Sequence, residues 1–247
     1  TLSSSSAASD VYKRQSQPTF FPWIGYFDII DQVDIFIILD DVDFSKQSWH
    51  QRNRFKTSQK LEWFTVPVKA GKGKLISEIE IFNGQRLFKK FKNFIDTNYS
   101  KSRYFKTFSK DLFSVFEIAA NGGKLVELNT QVIKFFLKQL KINTKIILSS
   151  SLKINEDRSK KIVNICNHLN INKYLSSYGA KDYLEEDKKI FTDKKINTFL
   201  HNYKHPEYKQ LYPPFLSNAC ILDLVFNEGE NSLEIIKKGR QHNIPLF

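Results

Sequence analysis

The chain has 247 residues, a formal net charge of +12 and no methionine; it is long enough to bury a sizeable core and is of a size common for one α/β domain. No apolar run approaches the roughly 18 residues needed to cross a bilayer, and the two cysteines, Cys166 and Cys220, sit in apolar, helix-like surroundings that argue against a disulfide framework and for a reducing, cytoplasmic setting. Arginine supplies seven of the 38 basic residues, whereas nucleic-acid readers lean on arginine, so the charge reads as lysine-rich composition that favours an anionic small-molecule substrate and disfavours nucleic acid as a partner.

In chain order, residues 1–15 (TLSSSSAASDVYKRQ) are serine- and alanine-rich and unlike the remainder of the chain. They are read as an adapter-like, non-native segment and set aside, leaving 16–247 as a single domain. With no methionine to start it, the chain is expected to lack its natural beginning. Residues 17–27 (QPTFFPWIGYF) predict a loop entering a helix, stiffened by Pro18 and Pro22, with Gly25 allowing close backbone approach. The run 34–40 (DIFIILD) has the β-branched and aromatic pattern of a buried parallel strand. Two further strands are expected at 61–68 and 75–82, with a hairpin turn at Gly71 and Gly73 in preference to a phosphate loop, because no helix follows. Helices are expected at 85–99, 104–119 and 124–140 from apolar residues spaced three and four apart. The last third then alternates: strand 144–149, helix 156–169, strand 173–177, helix 181–191 and strand 196–203, followed by an apolar helix at 219–226. The fold class is therefore α/β, a mainly parallel Rossmann-like sheet flanked by helices, with a β-hairpin and a helical insertion.

Two stretches concentrate chemistry. In 17–27, Gln17, Trp23 and Tyr26 keep polar tips, and a helix N-terminus suits phosphate or carboxylate; an aromatic plug over the sheet explains the same residues equally well. In 40–54, Asp40 and Asp41 end a strand, and Trp49, Arg52, Asn53 and Arg54 come after them in one loop. Paired acids at a strand end orient a hydroxyl, hold a metal or act as base, and paired arginines grip phosphate or carboxylate; a surface salt-bridge network is the plain alternative. Ligands of parallel sheets bind beyond the carboxyl ends of strands, so Asp40–Asp41, the 176–181 loop and the segment after Tyr203 are expected to converge. Among the histidines, His201 and His205 are four apart, but Pro206 breaks the helix that would make them metal ligands, and no metal site is expected. His201 is read as a solvated strand neighbour, and His50, His168 and His242 as ordinary surface or core residues. Asp223, an acid in an apolar helix, needs a partner, for which an arginine or lysine of the site is the expectation.

The pattern Gln17-Pro18, Phe20, Pro22 and Gly25-Tyr26-Phe27, then Asp40-Asp41-Val42-x-Phe44, then Trp49-x-x-Arg52-Asn53-Arg54 resembles the WbqC-like family. The likeness continues through Pro67-Val68-Lys69, Gly179-x-Lys181-Asp182-Tyr183, His205-Pro206-x-Tyr208-x-Gln210 and Ile221-Leu222-Asp223-Leu224. Gln51 departs from the family's asparagine, and Ser177-Tyr178 from a Gly-Pro pair. The family's first strand, which precedes Gln17, is expected to be missing or imitated. A weaker likeness joins Phe21-Pro22-Trp23-Ile24-Gly25-Tyr26 to the H-x-G-H turn of nucleotidyltransferases, with Trp23 and Tyr26 at the histidine positions.

The resemblance implies a setting in O-antigen and other surface-polysaccharide (lipopolysaccharide) gene clusters of bacteria. The expected function is a transferase acting on an anionic activated donor: a nucleotide sugar, nucleotide or acyl/aminoacyl carrier. Asp40, Asp41 and His205 are the catalytic candidates. Gln17, Trp23, Gly25, Tyr26, Trp49, Arg52, Asn53, Arg54, Lys69, Gly179, Lys181, Asp182, Tyr208 and Gln210 are the substrate-binding candidates, and no cofactor is named. The alternative is a non-catalytic nucleotide- or sugar-binding protein of the same pathway.

Overall fold

The computed structural model describes residues 12–69, 73–156 and 158–247; residues 1–11 and Gly71 of the expected turn lie outside them. The chain runs β1 (Tyr12–Ser16), α1 (Ile24–Asp31) and β2 (Ile35–Ile38), then a hairpin of β3 (Arg52–Lys56) and β4 (Leu61–Thr65) and a small ladder of β5 (Val68–Lys69) with β6 (Glu80–Ile81). Three helices come next, α2 (Gly84–Tyr99), α3 (Phe105–Asn121) and α4 (Leu125–Gln139). The last third is β7 (Lys145–Leu148), α5 (Arg158–His168), β8 (Lys173–Ser177), α6 (Lys181–Glu186), α7 (Lys188–Thr192), β9 (Asn197–His201), α8 (Ile221–Glu228), α9 (Ser232–Lys238) and β10 (Ile244–Pro245).

The central sheet has the order β10-β9-β8-β1-β2-β7, parallel throughout except for β10 at the edge. This is the mainly parallel α/β architecture that the alternating pattern implies. Side chains alternate across the sheet, and β8 shows the result: Leu175 joins the large core that includes Phe20, Phe36 and Phe136, while Tyr174 joins a second cluster with Ile162, Leu184 and Phe191. The helical insertion packs on aromatic stripes. Phe91 of α2 and Phe116 of α3 stack with centroids 3.9 Å apart and planes 5° from parallel, and Asn83 caps α2 by accepting from the Arg86 N–H at 2.9 Å.

Several boundaries differ from expectation for local reasons. The basic run Arg52-Asn53-Arg54, read as loop, is a strand, because Asn53 and Phe55 face the core and the arginines face out. The stretch 75–82 opens with a 3-10 turn at Ile76–Glu78 in place of strand, since the Glu78 carboxylate folds back to accept the Leu75 N–H at 2.8 Å. The helix expected at 181–191 breaks at Asp187 into α6 and α7.

The first-strand position is filled. β1 lies between β2 and β8, and its sequence YKRQS is unlike the apolar runs that suit strands covered on both faces. Lys13 is fully buried; its Nζ has the Ile162 carbonyl and Gln15 Oε1 at 3.4 Å, and desolvation, offset in part by Cys166, pulls its pKa down to about 8. The β1–β2 register runs to Ser16↔Ile38, whereas β1–β8 holds only Tyr12↔Lys173 and Lys13↔Tyr174 among the described residues. Beyond that point the strands part, and the Arg14 Nη1 donates to the Leu175 carbonyl at 3.3 Å across the gap.

Lys13→Ile is expected to raise unfolding stability at pH 7 by about 2–3 kcal/mol, the cost of holding a desolvated ammonium. The unfolded chain binds the proton more tightly between pH 8 and 10.5, so Lys13 makes the parent's stability rise with pH across that window. Urea unfolding at pH 7 and pH 10 should show a gain for the variant that shrinks at the higher pH. An equal or lower midpoint at pH 7 would remove desolvation as the dominant effect.

Candidate functional site

Where β1 and β8 diverge, their carboxyl ends open into a cavity of about 520 Å³. Ser16 and Gln17 approach it from β1, Ser177 and His201 from β8 and β9, Trp23, Gly25, Tyr26 and Ile29 from α1 and its entry, and Trp49, His50, Asn53 and Arg54 from the loop and strand opposite. The strand order reverses here, as chain growth passes from β1 to β2 and β7 and returns on the other side at β8. Such switch points leave a crevice in parallel sheets.

The two chemistry-bearing stretches are joined by direct bonds. The Phe20 N–H donates to the Trp49 carbonyl at 2.9 Å. Asn53 Nδ2 donates to the carbonyls of Phe20 and Phe21 at 3.0 and 2.8 Å, holding Phe21 at a φ of 42°, a conformation costly for a bulky residue. From α4, Asn129 Nδ2 donates to Pro18 O at 3.2 Å and His50 O at 2.7 Å. Asn53 therefore spends its side chain on positioning, its Oδ1 accepting from the Arg54 N–H.

Burial pulls the His50 pKa down to about 4, so its ring is neutral near pH 7. Its Nε2 donates to Gln17 Oε1 at 2.8 Å, which leaves the Gln17 amino group as the free end of that side chain. Tyr26 Oη donates to the Gln17 carbonyl at 3.3 Å, and burial, eased somewhat by Arg14, pushes its pKa up. Gly25 is required by the Trp23 indole, since a Cβ there would lie 2.3 Å from Trp23 Cη2. Trp23 in turn stacks on His205 at 6.2 Å. His205 uses both ring nitrogens: Nδ1 donates to Pro206 O at 2.9 Å and Nε2 accepts from the Asn218 N–H at 3.2 Å. Burial lowers its pKa against the Pro206 bond, and it backs the wall of the cavity behind Trp23.

His201 and Asp28 form a pair that the residues alone did not reveal. His201 Nε2 donates to Asp28 Oδ2 at 2.7 Å, and Asp28 is fully buried, where Gln32 Nε2 (2.6 Å) and Arg240 Nε (2.9 Å) also reach it. A carboxylate only accepts, so Nε2 carries the proton and Nδ1 is the basic nitrogen of a ring that lines the cavity. The geometry is that of an imidazole oriented by a buried carboxylate. The available signal was Asp28 inside the apolar helix IGYFDIID, a buried acid that demanded a partner.

The remaining candidates lie elsewhere. Asp40 is 2% exposed and outside the cavity lining; its carboxylate accepts from Ser150 N–H (2.9 Å) and Ser150 Oγ (2.7 Å) and its N–H donates to Ser149 Oγ at 3.2 Å, closing the turn after β7. Asp41 accepts from Ser149 Oγ and pairs with Lys161 at 2.8 Å. Lys69 pairs with Glu80 at 3.5 Å and Lys181 with Glu185 at 3.8 Å, both on exposed surface, and Asp182 is exposed in the first turn of α6. Gly179 lines a neighbouring cavity of about 300 Å³ in the β1–β8 gap. Tyr208 and Gln210 are buried, donating to Asp223 Oδ2 at 2.8 and 2.9 Å. They are the closest hydrogen-bond donors to Asp223, where a site arginine or lysine was expected, and the buried Lys56 acts on it through its charge; burial pushes its carboxyl up to about 6 against those bonds, that of Tyr99 and the Lys56 charge. Arg52 stands beside Arg54 on the outer face of β3, its Cζ 4.4 Å from the centroid of Trp63. Among the described residues no three His, Cys, Asp or Glu side chains group to hold a metal, and no helix is long and apolar enough to cross a membrane.

The sheet order defines an α/β protein with a mostly parallel, Rossmann-like central sheet and a crevice at its switch point. The chain belongs to the WbqC-like protein family, whose model matches residues 17–235. It is 31% identical over 228 residues to "Uncharacterized protein Rv1507c" of Mycobacterium tuberculosis (strain ATCC 25618 / H37Rv), covering 91% of this chain and 97% of that one. No solved structure matches it.

Proposed function

We propose that this protein is a group-transfer enzyme that takes an anionic activated donor, a nucleotide sugar, nucleotide or acyl/aminoacyl carrier, in the assembly of a bacterial surface polysaccharide. The observation that carries the reading is the lining of one crevice by a carboxylate-backed imidazole, His201 with Asp28, and by a guanidinium, Arg54. His201 Nδ1 takes the proton from an acceptor hydroxyl or amine as that atom attacks the donor. Arg54 and the free amino group of Gln17 hold the donor's anionic part and its leaving group. The polysaccharide setting rests on the family resemblance alone.

Thermal-shift measurements on the full chain with nucleotides, nucleotide sugars and amino acids test the reading, followed by an assay of group release from whichever ligand shifts the midpoint. A selective shift with release supports a transferase. A shift without release, whether or not sugar hydroxyl and amine acceptors are added, identifies a binding protein, and no shift with any of these classes rejects the assignment of ligand.

A further inference from the structure

We infer that the outer face of the β3–β4 hairpin, together with Trp49, is a stacking platform for a nucleobase, so that the donor is a nucleotide derivative. This deepens the reading above and rests on it. Strand alternation places Arg52 and Arg54 on one face of β3, and the register sets Arg54 opposite Trp63 of β4. The other face, with Asn53, Phe55 and Phe64, is buried.

On the outer face two indoles remain 48% (Trp49) and 46% (Trp63) exposed, with centroids 5.1 Å apart and planes tilted by 41°. Half-exposed paired tryptophans keep apolar ring area in water, which a planar ligand would cover. Arg54 Cζ lies 5.7 Å from both rings. Among the described residues no carboxylate pairs with Arg52 or Arg54, and the Nε of each is buried without a hydrogen-bond partner. Guanidiniums in that state match phosphate oxygens. Trp49 and Arg54 also line the 520 Å³ cavity, so a base on the platform places its phosphates at the cavity mouth. An aliphatic aminoacyl group offers no ring to cover two indoles, and a neutral free sugar offers no anion. The enclosed volume suits one mononucleotide-sized ligand.

Calorimetric titration of the full chain with UDP, ADP and inorganic pyrophosphate separates base from phosphate, with Trp63→Leu and Trp63→Phe as variants. The platform requires both nucleoside diphosphates to bind at least ~10-fold tighter than pyrophosphate, the scale of one stacked base. Trp63→Leu should weaken the nucleotides ~10-fold and pyrophosphate less than twofold, with Trp63→Phe retaining most of the affinity. Nucleotides no tighter than pyrophosphate would overturn the platform while leaving an anionic donor in place; no binding by any of the three would overturn the donor reading with it. Tighter binding of a uridine oligonucleotide than of UDP would also overturn the inference, showing a single-stranded nucleic-acid surface. If Trp63→Leu does not fold, the parent's preference and Trp63→Phe decide.

Discussion

His201→Gln is expected to lower turnover by about 10²–10⁴-fold, the usual contribution of a positioned general base, with the donor that shifts the melting midpoint as substrate. The glutamine amide nitrogen occupies the place of Nε2 and still donates to Asp28, which keeps Gln32 and Arg240 as partners. What it removes is the basic Nδ1. Donor affinity by calorimetry should therefore stay within a few-fold of the parent, and the melting midpoint within a few degrees. Parental turnover in a folded His201→Gln protein would eliminate the imidazole as base. Weaker donor binding with an unchanged rate for bound donor would assign it to recognition.

The second large effect is on stability. Phe116→Ala should cost about 3–5 kcal/mol in denaturant unfolding, the range for truncating a fully buried phenylalanine. Phe116 is 0% exposed, stacks on Phe91 and lies 6.3 and 6.2 Å from the rings of Phe20 and Phe21. Those last two belong to the segment that carries Gln17 and Trp23 to the cavity. The same variant is accordingly expected to weaken ligand binding, although Phe116 is outside the cavity lining. A loss below about 1 kcal/mol would mean that the surrounding helices collapse onto the space.

Much of the sheet and the helical insertion is legible in the sequence because their periods are strong. β8 is readable to the residue from its flanking turns, and α2 through α4 within two residues from their aromatic stripes. Arg52-Asn53-Arg54 hides a strand, because three residues of alternating charge look the same in a loop and only the pairing with β4 distinguishes them. The crevice is foreseeable as a class, from strands that end in polar residues, but its chemistry is not. Asp40 and Asp41 look like a reactive pair by adjacency, and their partners Ser149 and Lys161 lie more than a hundred residues on, joined to them only by the docking of β7 and α5. His201 and Asp28, 173 residues apart, meet because β8 and β9 fold back beside β1. Local pattern carries no information about that return.

The short β1–β8 ladder also bears on binding. Among the described residues it holds two register pairs against four between β1 and β2, which makes it the shortest ladder between parallel strands of the sheet. The smaller cluster around Tyr174 covers one face of β8, while Leu175 on the other face joins the large core, which therefore runs across this seam. Ser16 and Gln17 sit on one lip of the crevice, Ser177 and His201 on the other. A ligand that touches both lips would act as a staple, joining β1 to β8 by the free energy of its own binding.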